Sequence, residues 1–153
     1  VPDLNPDGVA AGTRQNADLV DLNRNFPWQW VPMGTRGYFY YSGPRPLSEP
    51  ESRAVRRLIL SVRPLITIWF HQPYGLVDLS GGDPRIERRF ARLVGLTTTQ
   101  LTRFRGSAIN WGNSVIPRGT AFDVELPPGS LTSAQVIRYV RAVLVLANPH
   151  TPL

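Results

Sequence analysis

The run Leu65-Ile66-Thr67-Ile68-Trp69-Phe70 is continuous, apolar and β-prone, and it stops at a histidine, His71. Such a run predicts a buried central strand covered on both faces. It follows directly on a helical pattern. Ser48-Glu49-Pro50-Glu51 supplies a capping serine, a capping-box glutamate, a first-turn proline and acids suited to the positive end of the dipole. Val55, Leu58, Ile59 and Val62 make the apolar stripe, and Arg63-Pro64 closes the helix. The alternation then repeats. A second helix is expected over about 84–94, and Ala121-Phe122-Asp123-Val124-Glu125-Leu126 reads as a second strand, closed by Pro127-Pro128-Gly129. Thr132 caps a final helix through about Leu146, whose expected buried face is Val136, Tyr139, Val140, Val143 and Leu144. Helices and strands in this alternation predict an α/β sheet in layers.

The rest of the chain is punctuated by turns. Asn5-Pro6-Asp7-Gly8, Gly12-Thr13, Asn25-Phe26-Pro27 and Gly43-Pro44-Arg45-Pro46 break up residues 1–47, with one strand-like stretch at Leu19-Val20-Asp21-Leu22. Irregular regions of this length are functional or disordered. Trp28, Trp30, Phe39, Tyr40 and Tyr41 argue for an ordered surface that carries function. The segment around Arg105–Asn113 reads as a Gly-rich loop with Trp111 inside it.

Composition narrows the chemistry. Hydrophobic residues at 42% and charged residues at 18% exclude a disordered chain. No apolar run approaches the roughly 18–20 residues of a membrane span. There is no cysteine, hence no disulfide framework, thiolate nucleophile or cysteine-ligated zinc. All 17 basic residues are arginine, which removes every lysine-based mechanism. The net charge of +6 invites a nucleic-acid partner, yet the arginines are scattered. The densest group, Arg85, Arg88, Arg89 and Arg92, recurs at helical spacing and reads as one solvated helix face, and the aromatic stretch from Trp28 to Tyr41 carries only Arg36. No nucleic-acid partner is expected.

Ligands of open α/β sheets bind beyond the carboxyl ends of the strands. His71 lies at one such end and Glu125 near another. A strand-end histidine can equally be a satisfied structural residue, and Glu125 can be a glutamate paired with an arginine. Alternation places Asp123 and Glu125 on the same face, where unpartnered carboxylates are costly to bury. Arg14, Asn23 and Arg24 in the irregular region could recognise a carboxylate, the arginines in bidentate fashion. With so many arginines, each could also be an ordinary surface cation.

Read together, these blocks resemble a known family. Asn5-Pro6-Asp7-Gly8, Gly12-Thr13-Arg14-Gln15-Asn16-Ala17 and Val20-Asp21-Leu22-Asn23-Arg24-Asn25-Phe26-Pro27 are similar to the zinc carboxypeptidases of the carboxypeptidase A type, nearest their bacterial branch. Tyr41-Ser42-Gly43-Pro44, Ser48-Glu49-Pro50-Glu51, His71, Gly106 to Trp111 and Glu125 before Leu126-Pro127 continue the pattern in order. The resemblance implies a three-layer α/β/α fold around a mixed, mostly parallel sheet, with one Zn2+ per complete catalytic domain. It implies that His71 is a zinc ligand and that Glu125 is the general acid/base. Arg14 would stabilise the oxyanion, Asn23 and Arg24 would grip the substrate's terminal carboxylate, and Ile109 would lie near the floor of the side-chain pocket. The chemistry suits these residue types: zinc with an open position activates water, and a carboxylate beside that water moves its proton.

Two departures qualify the resemblance. The family's His-x-x-Glu ligand pair lies upstream of the Asn5 block and has no counterpart here, and the other histidine, His150, reads as an ordinary tail residue. The family's mobile tyrosine is matched by Phe104, which lacks the hydroxyl. Residues 1–153 are therefore expected to be the C-terminal two-thirds of a single catalytic domain with its N-terminal part missing, inactive in isolation. The expected activity is hydrolysis of peptide bonds by a metallocarboxypeptidase. The alternatives are a peptidoglycan-peptide amidase of the γ-D-glutamyl-diaminopimelate type or, if the chain is complete, a non-catalytic carboxylate binder. A peptide or muropeptide partner, a monomeric state and a secreted or cell-envelope location complete the expectation.

Overall fold

In the computed structural model, which describes residue 1, residues 3–79 and residues 81–148, the chain divides into two units. The first comprises Val1–Pro64 with Arg103–Pro117, and the second Leu65–Thr102 with the residues from Arg118 onward.

The second unit is built on a four-stranded sheet. Strands β1 (Ile66–His71), β2 (Leu76–Asp78), β3 (Thr97–Thr99) and β4 (Thr120–Glu125) are arranged in the order β1-β4-β2-β3. β1 pairs parallel with β4 and β2 parallel with β3, while β2 and β4 run antiparallel. The sheet is mixed and mostly parallel, as expected. Helices α3 (Pro84–Val94) and α5 (Ser133–Ala147) pack on each other, and α3 packs on β2 and β3. Both helices start as their sequences dictate. Asp83 caps α3 by accepting from the Arg85 N–H, and Thr132 and Gln135 close a capping box on α5. Gly95 ends α3 in the left-handed region, where glycine carries no Cβ penalty.

The core of this unit is Val77, Phe90, Ala91, Val94, Phe122, Val124, Tyr139 and Ala142. The Phe90 ring stands edge-on to Phe122 at 5.5 Å between centroids. Burying each large side chain of this kind contributes about 1.5–3 kcal/mol. Phe122 and Val124 alternate with Ala121, Asp123 and Glu125 along β4, so the apolar pair faces the core and the two carboxylates share the opposite face. Glu87 of α3 is also fully buried. Its Oε1 accepts from Gly82 N–H at 2.9 Å, and its Oε2 has no hydrogen-bond partner among the described residues. Burial pushes its pKa up to about 7; the Gly82 hydrogen bond opposes this, and Asp78 and Asp83 reinforce it.

Two expectations for this unit are corrected. β1 is an end strand of the described sheet and only half-buried; the strand buried at every position is β4. An apolar run reports β propensity, not how many neighbours the strand acquires. Of the residues assigned to the buried face of α5, only Tyr139 is buried, joined by Ala142. Val136, Val140, Val143 and Leu144 are exposed and, with Phe70 and Leu131, line an apolar groove of about 330 Å³. The apolar arc of the helix is wider than the strip its core neighbours cover. Arg85, Arg88 and Arg92 are exposed, as a solvated face requires.

The first unit has little regular structure. Helix α1 (Pro6–Ala11), a single 3-10 turn at Leu22–Arg24, α2 (Pro50–Val62) and α4 (Ala108–Val115) are joined by long irregular stretches. Side-chain amides hold these together. Asn25, with no exposure, donates to the Ser42 carbonyl and to Ser48 Oγ, both at 2.8 Å, and its Oδ1 accepts from Glu49 N–H at 3.3 Å. Asn16 donates to Glu49 Oε2 at 2.9 Å and accepts from Val20 N–H at 3.0 Å. Buried backbone groups outside helices and sheets need such partners, and asparagine provides both a donor and an acceptor.

Four local expectations fail in this unit. Leu19–Leu22 forms no strand, because Leu19 sits at φ 63° in the left-handed region and turns the chain into the 3-10 segment. Ser48 does not cap α2; the capping position is Glu49, without a side-chain cap bond, and Ser48 Oγ is engaged by Asn25 and Glu49. Only Val55 and Ile59 of the predicted α2 stripe are buried, and Leu58 and Val62 are exposed. The expected Gly-rich loop at 105–113 contains α4, capped by Ser107, with Trp111 buried at 5.3 Å from the Phe26 ring. Gly106, at φ 74°, lets this segment lie directly against the Arg24 carbonyl, and its N–H and C=O pair with Trp28 and Phe26. No helix among the described residues is long and apolar enough to cross a membrane.

Candidate functional site

In the second unit, the parallel register sets His71 beside Glu125 and Trp69 beside Asp123. His71 closes β1, while Asp123 and Glu125 alternate onto one face at the end of β4. One donor atom from each of these three side chains lies within 4.8 Å of the others. Asp123 Oδ1 is 2.8 Å from His71 Nδ1, and both carboxylates are buried at 7% exposure. That contact is short enough for an ion pair, but it does not satisfy hydrogen-bond directionality, so Asp123 Oδ1 is a buried oxygen with no aligned donor. An imidazole nitrogen and carboxylate oxygens are ligands suited to zinc. A buried oxygen without a donor, close to a ring nitrogen, fits a cation better than it fits a closed hydrogen-bond network. The parallel register thus brings His71 and Glu125, each read from the sequence as lying at a strand end, side by side. Asp123, placed beside Glu125 by alternation, had been given no role.

In the first unit, Asp21 is the anchor. It is buried at 2% exposure and caps the 3-10 turn by accepting from Asn23 N–H at 3.0 Å. Arg14 Nε donates to its Oδ2 at 2.7 Å, and Arg24 Nε stands 4.0 Å from the same oxygen. Two guanidinium groups thus share one carboxylate and leave a net positive charge. Burial lowers the pKa of Arg24; Asp21 opposes this, and the neighbouring Arg14 charge adds to it. Arg24 is no ordinary surface cation. It is 4% exposed, its Nη1 donates to the Asn23 carbonyl at 2.7 Å, and its Nε has no hydrogen-bond partner among the described residues. Its guanidinium lies 4.2 Å from the Phe104 ring centroid and 5.3 Å from that of Tyr40, within cation–π range. Arg14 lies 5.4 Å from the Tyr40 ring and 5.8 Å from Phe39. Asn23 Oδ1 accepts from Ala108 N–H at 3.0 Å at the start of α4, where Ile109 follows, buried.

The site residues therefore fall into two groups: Arg14, Asn23, Arg24 and Ile109 in the first unit, His71 and Glu125 in the second. His150 lies outside the described residues. Sequence reasoning missed Asp21, and it set Phe104 against the family's mobile tyrosine without foreseeing the ring's contact with Arg24. A lone aspartate between Val20 and Leu22 was the available signal, since a charge among apolar residues requires a partner.

The family model for zinc carboxypeptidases matches residues 1–82. Murein peptide amidase A of Escherichia coli K12 is 37% identical over 93 residues, covering 54% of this chain and 37% of that protein. The crystal structure of murein-tripeptide amidase from Escherichia coli O157 superposes with a TM-score of 0.78 at 29% identity, over 95% of this chain and 66% of that one. Carboxypeptidase A from Helicoverpa armigera superposes with a TM-score of 0.80 over 96% of this chain and 49% of that one; at 18% identity this is a likeness of fold. The chain thus spans less than two-thirds of the length of each.

Proposed function

The chain belongs to the zinc carboxypeptidase family, and from that premise we propose that the protein is a zinc-dependent hydrolase of peptide bonds. The observation that carries this reading is the meeting of His71 and Glu125, with Asp123, at the ends of two paired strands. The bound metal would supply Lewis acidity and lower the pKa of a water ligand towards about 7. His71 would be one of its ligands. Glu125 takes a proton from the attacking water on its carboxylate and later delivers it to the leaving amine. Arg14 stabilises the negative charge that develops on the scissile carbonyl oxygen. Asn23 and Arg24 hold an anionic group of the substrate, a role supported by the excess positive charge around Asp21. Ile109 contributes to the side-chain pocket. The protein acts as a monomer.

Likeness to a murein peptide amidase at 37% identity favours cell-wall peptides as the substrate class. The second reading, removal of C-terminal residues from ordinary peptides, is supported by the family itself. Digestion of muropeptides beside a panel of free-acid peptides, with products read by mass, separates the two. The central test is Glu125→Gln in the full-length enzyme, which keeps shape and a hydrogen-bonding carbonyl but cannot take a proton. A loss of about 10²–10⁴-fold in turnover is expected, with zinc content and melting temperature near wild type. Wild-type turnover, or lowered stability with turnover retained, would return Glu125 to a structural role.

A further inference from the structure

We propose that Tyr40 is a positioning residue for both arginines of the first unit: its ring holds the Arg14 and Arg24 guanidinium groups at a fixed spacing, ready for the negative charges of a substrate. This rests on the reading above that the two arginines meet anionic groups, and it assigns a residue which that reading leaves without a role.

Two guanidinium groups turned towards one carboxylate repel each other, and Asp21 binds them unequally. Arg14 Nε donates to its Oδ2 at 2.7 Å, whereas Arg24 Nε stands 4.0 Å from that oxygen and has no hydrogen-bond partner among the described residues. One carboxylate balances one of the two charges. Tyr40 is the side chain whose ring meets both cations. The Arg24 guanidinium carbon lies 5.3 Å from its centroid and the Arg14 guanidinium carbon 5.4 Å. Phe104 reaches Arg24 and Phe39 reaches Arg14, each of them one arginine of the pair. The negative face of an aromatic ring attracts a cation within about 6 Å, and more strongly where water is excluded, as it is at Arg24, 4% exposed.

Tyr40 is itself held in place. Phe39 stands edge-on to its ring at 4.8 Å between centroids and Tyr38 at 6.1 Å. The backbone on either side is registered against the arginine-bearing segment. Asp21 N–H donates to the Tyr41 carbonyl at 2.8 Å, and Gln15 Nε2 donates to the Tyr38 carbonyl at 3.3 Å. Asp21 thus ties down the aromatic segment through its main chain and Arg14 through its side chain. A long arginine side chain loses rotamer freedom when it grips a ligand, and a fixed ring removes that freedom beforehand.

A ring that served only as apolar cover would be replaced well enough by leucine. A ring that acts through its π face is replaced by phenylalanine and not by leucine.

The experiment uses the full-length, metal-loaded enzyme with acetate as the carboxylate probe. Binding is followed by nuclear magnetic resonance at the Arg24 Nε–H signal, assigned through its loss in Arg24→Lys. Tyr40→Phe should bind acetate within about twofold of the unsubstituted enzyme, and Tyr40→Leu about tenfold more weakly. Near-ultraviolet circular dichroism identifies which variants are folded. A second readout needs no variant: nuclear Overhauser contacts in the unsubstituted enzyme should join the Tyr40 ring protons to the side chains of both Arg14 and Arg24. Unchanged affinity in a folded Tyr40→Leu enzyme, equal weakening by phenylalanine and leucine, or ring contacts to one arginine alone would each overturn the proposal. An Arg24 signal that acetate does not move would overturn the anion-holding role given to Arg24 above, and the proposal with it.

Discussion

The two units solve the same problem by opposite means. The second buries an apolar cluster between a sheet and two helices, and its backbone polar groups pair largely in ladders and helical turns. The first has one long helix and several short pieces, and its irregular backbone is tied by Asn5, Asn16, Asn25 and Ser42. Hydrophobic burial is non-directional and tolerates local change, whereas a hydrogen-bond hub is directional and leaves several groups stranded when it is removed. The chemistry divides along the same line. The strand ends of the second unit carry His71, Asp123 and Glu125, and the tied loops of the first carry two arginines on one aspartate.

This contrast can be broken by experiment. Phe90→Ala should have the largest effect on stability, about 3–5 kcal/mol, because the ring is fully buried against Phe122 and Tyr139. The shift of a denaturant midpoint at unchanged slope measures it. A smaller loss would mean that the core of the second unit collapses around the cavity.

Glu87 gives the next largest effect, and it depends on pH. Its folded pKa of about 7 lies above the unfolded value of 4.5, so the folded state holds the proton more tightly. Its contribution is complete below about pH 4.5 and is lost as pH rises through 7, by up to roughly 3 kcal/mol. Glu87→Gln should flatten the stability profile over that window. A profile that keeps its slope in the variant would assign the titration elsewhere.

Asn25→Ala is expected to cost the least, about 1–3 kcal/mol, by stranding the Ser42 carbonyl and Glu49 N–H. Equilibrium unfolding of this variant beside Phe90→Ala tests the contrast directly. If the asparagine costs as much as the phenylalanine, the polar ties of the first unit are as essential as the apolar core of the second.

The sequence made the second unit far more legible than the first. α3, β4 and α5 could be placed from period and caps, since Asp83-Pro84, Gly95 and Thr132 mark their ends in residues whose local chemistry decides the backbone. α4 was hidden because Ala108-Ile109-Asn110-Trp111-Gly112-Asn113 has poor helix propensity, and the helix exists through its Ser107 cap and the packing of Trp111 on Phe26. The turn at Leu19 was hidden for a related reason: leucine gives no hint of a left-handed backbone, which the Asn16 carbonyl fixes through the Leu19 N–H. At the site, strand ends singled out His71 and Glu125. The pairing of Arg14 and Arg24 on Asp21 could not be read, because it depends on how a 3-10 turn folds back on itself.

The exposed stripe on α5 also has a calorimetric meaning. Val136, Val140, Val143 and Leu144 already meet water in the folded chain, so unfolding does not newly hydrate that surface. The heat-capacity increment of unfolding comes mainly from apolar surface exposed in the transition, at roughly 12–15 cal/mol/K per residue in ordinary domains. A folded state that leaves such a stripe wet falls below that figure. Its stability then varies less with temperature, and its cold-denaturation limit lies further from the physiological range than chain length alone would place it.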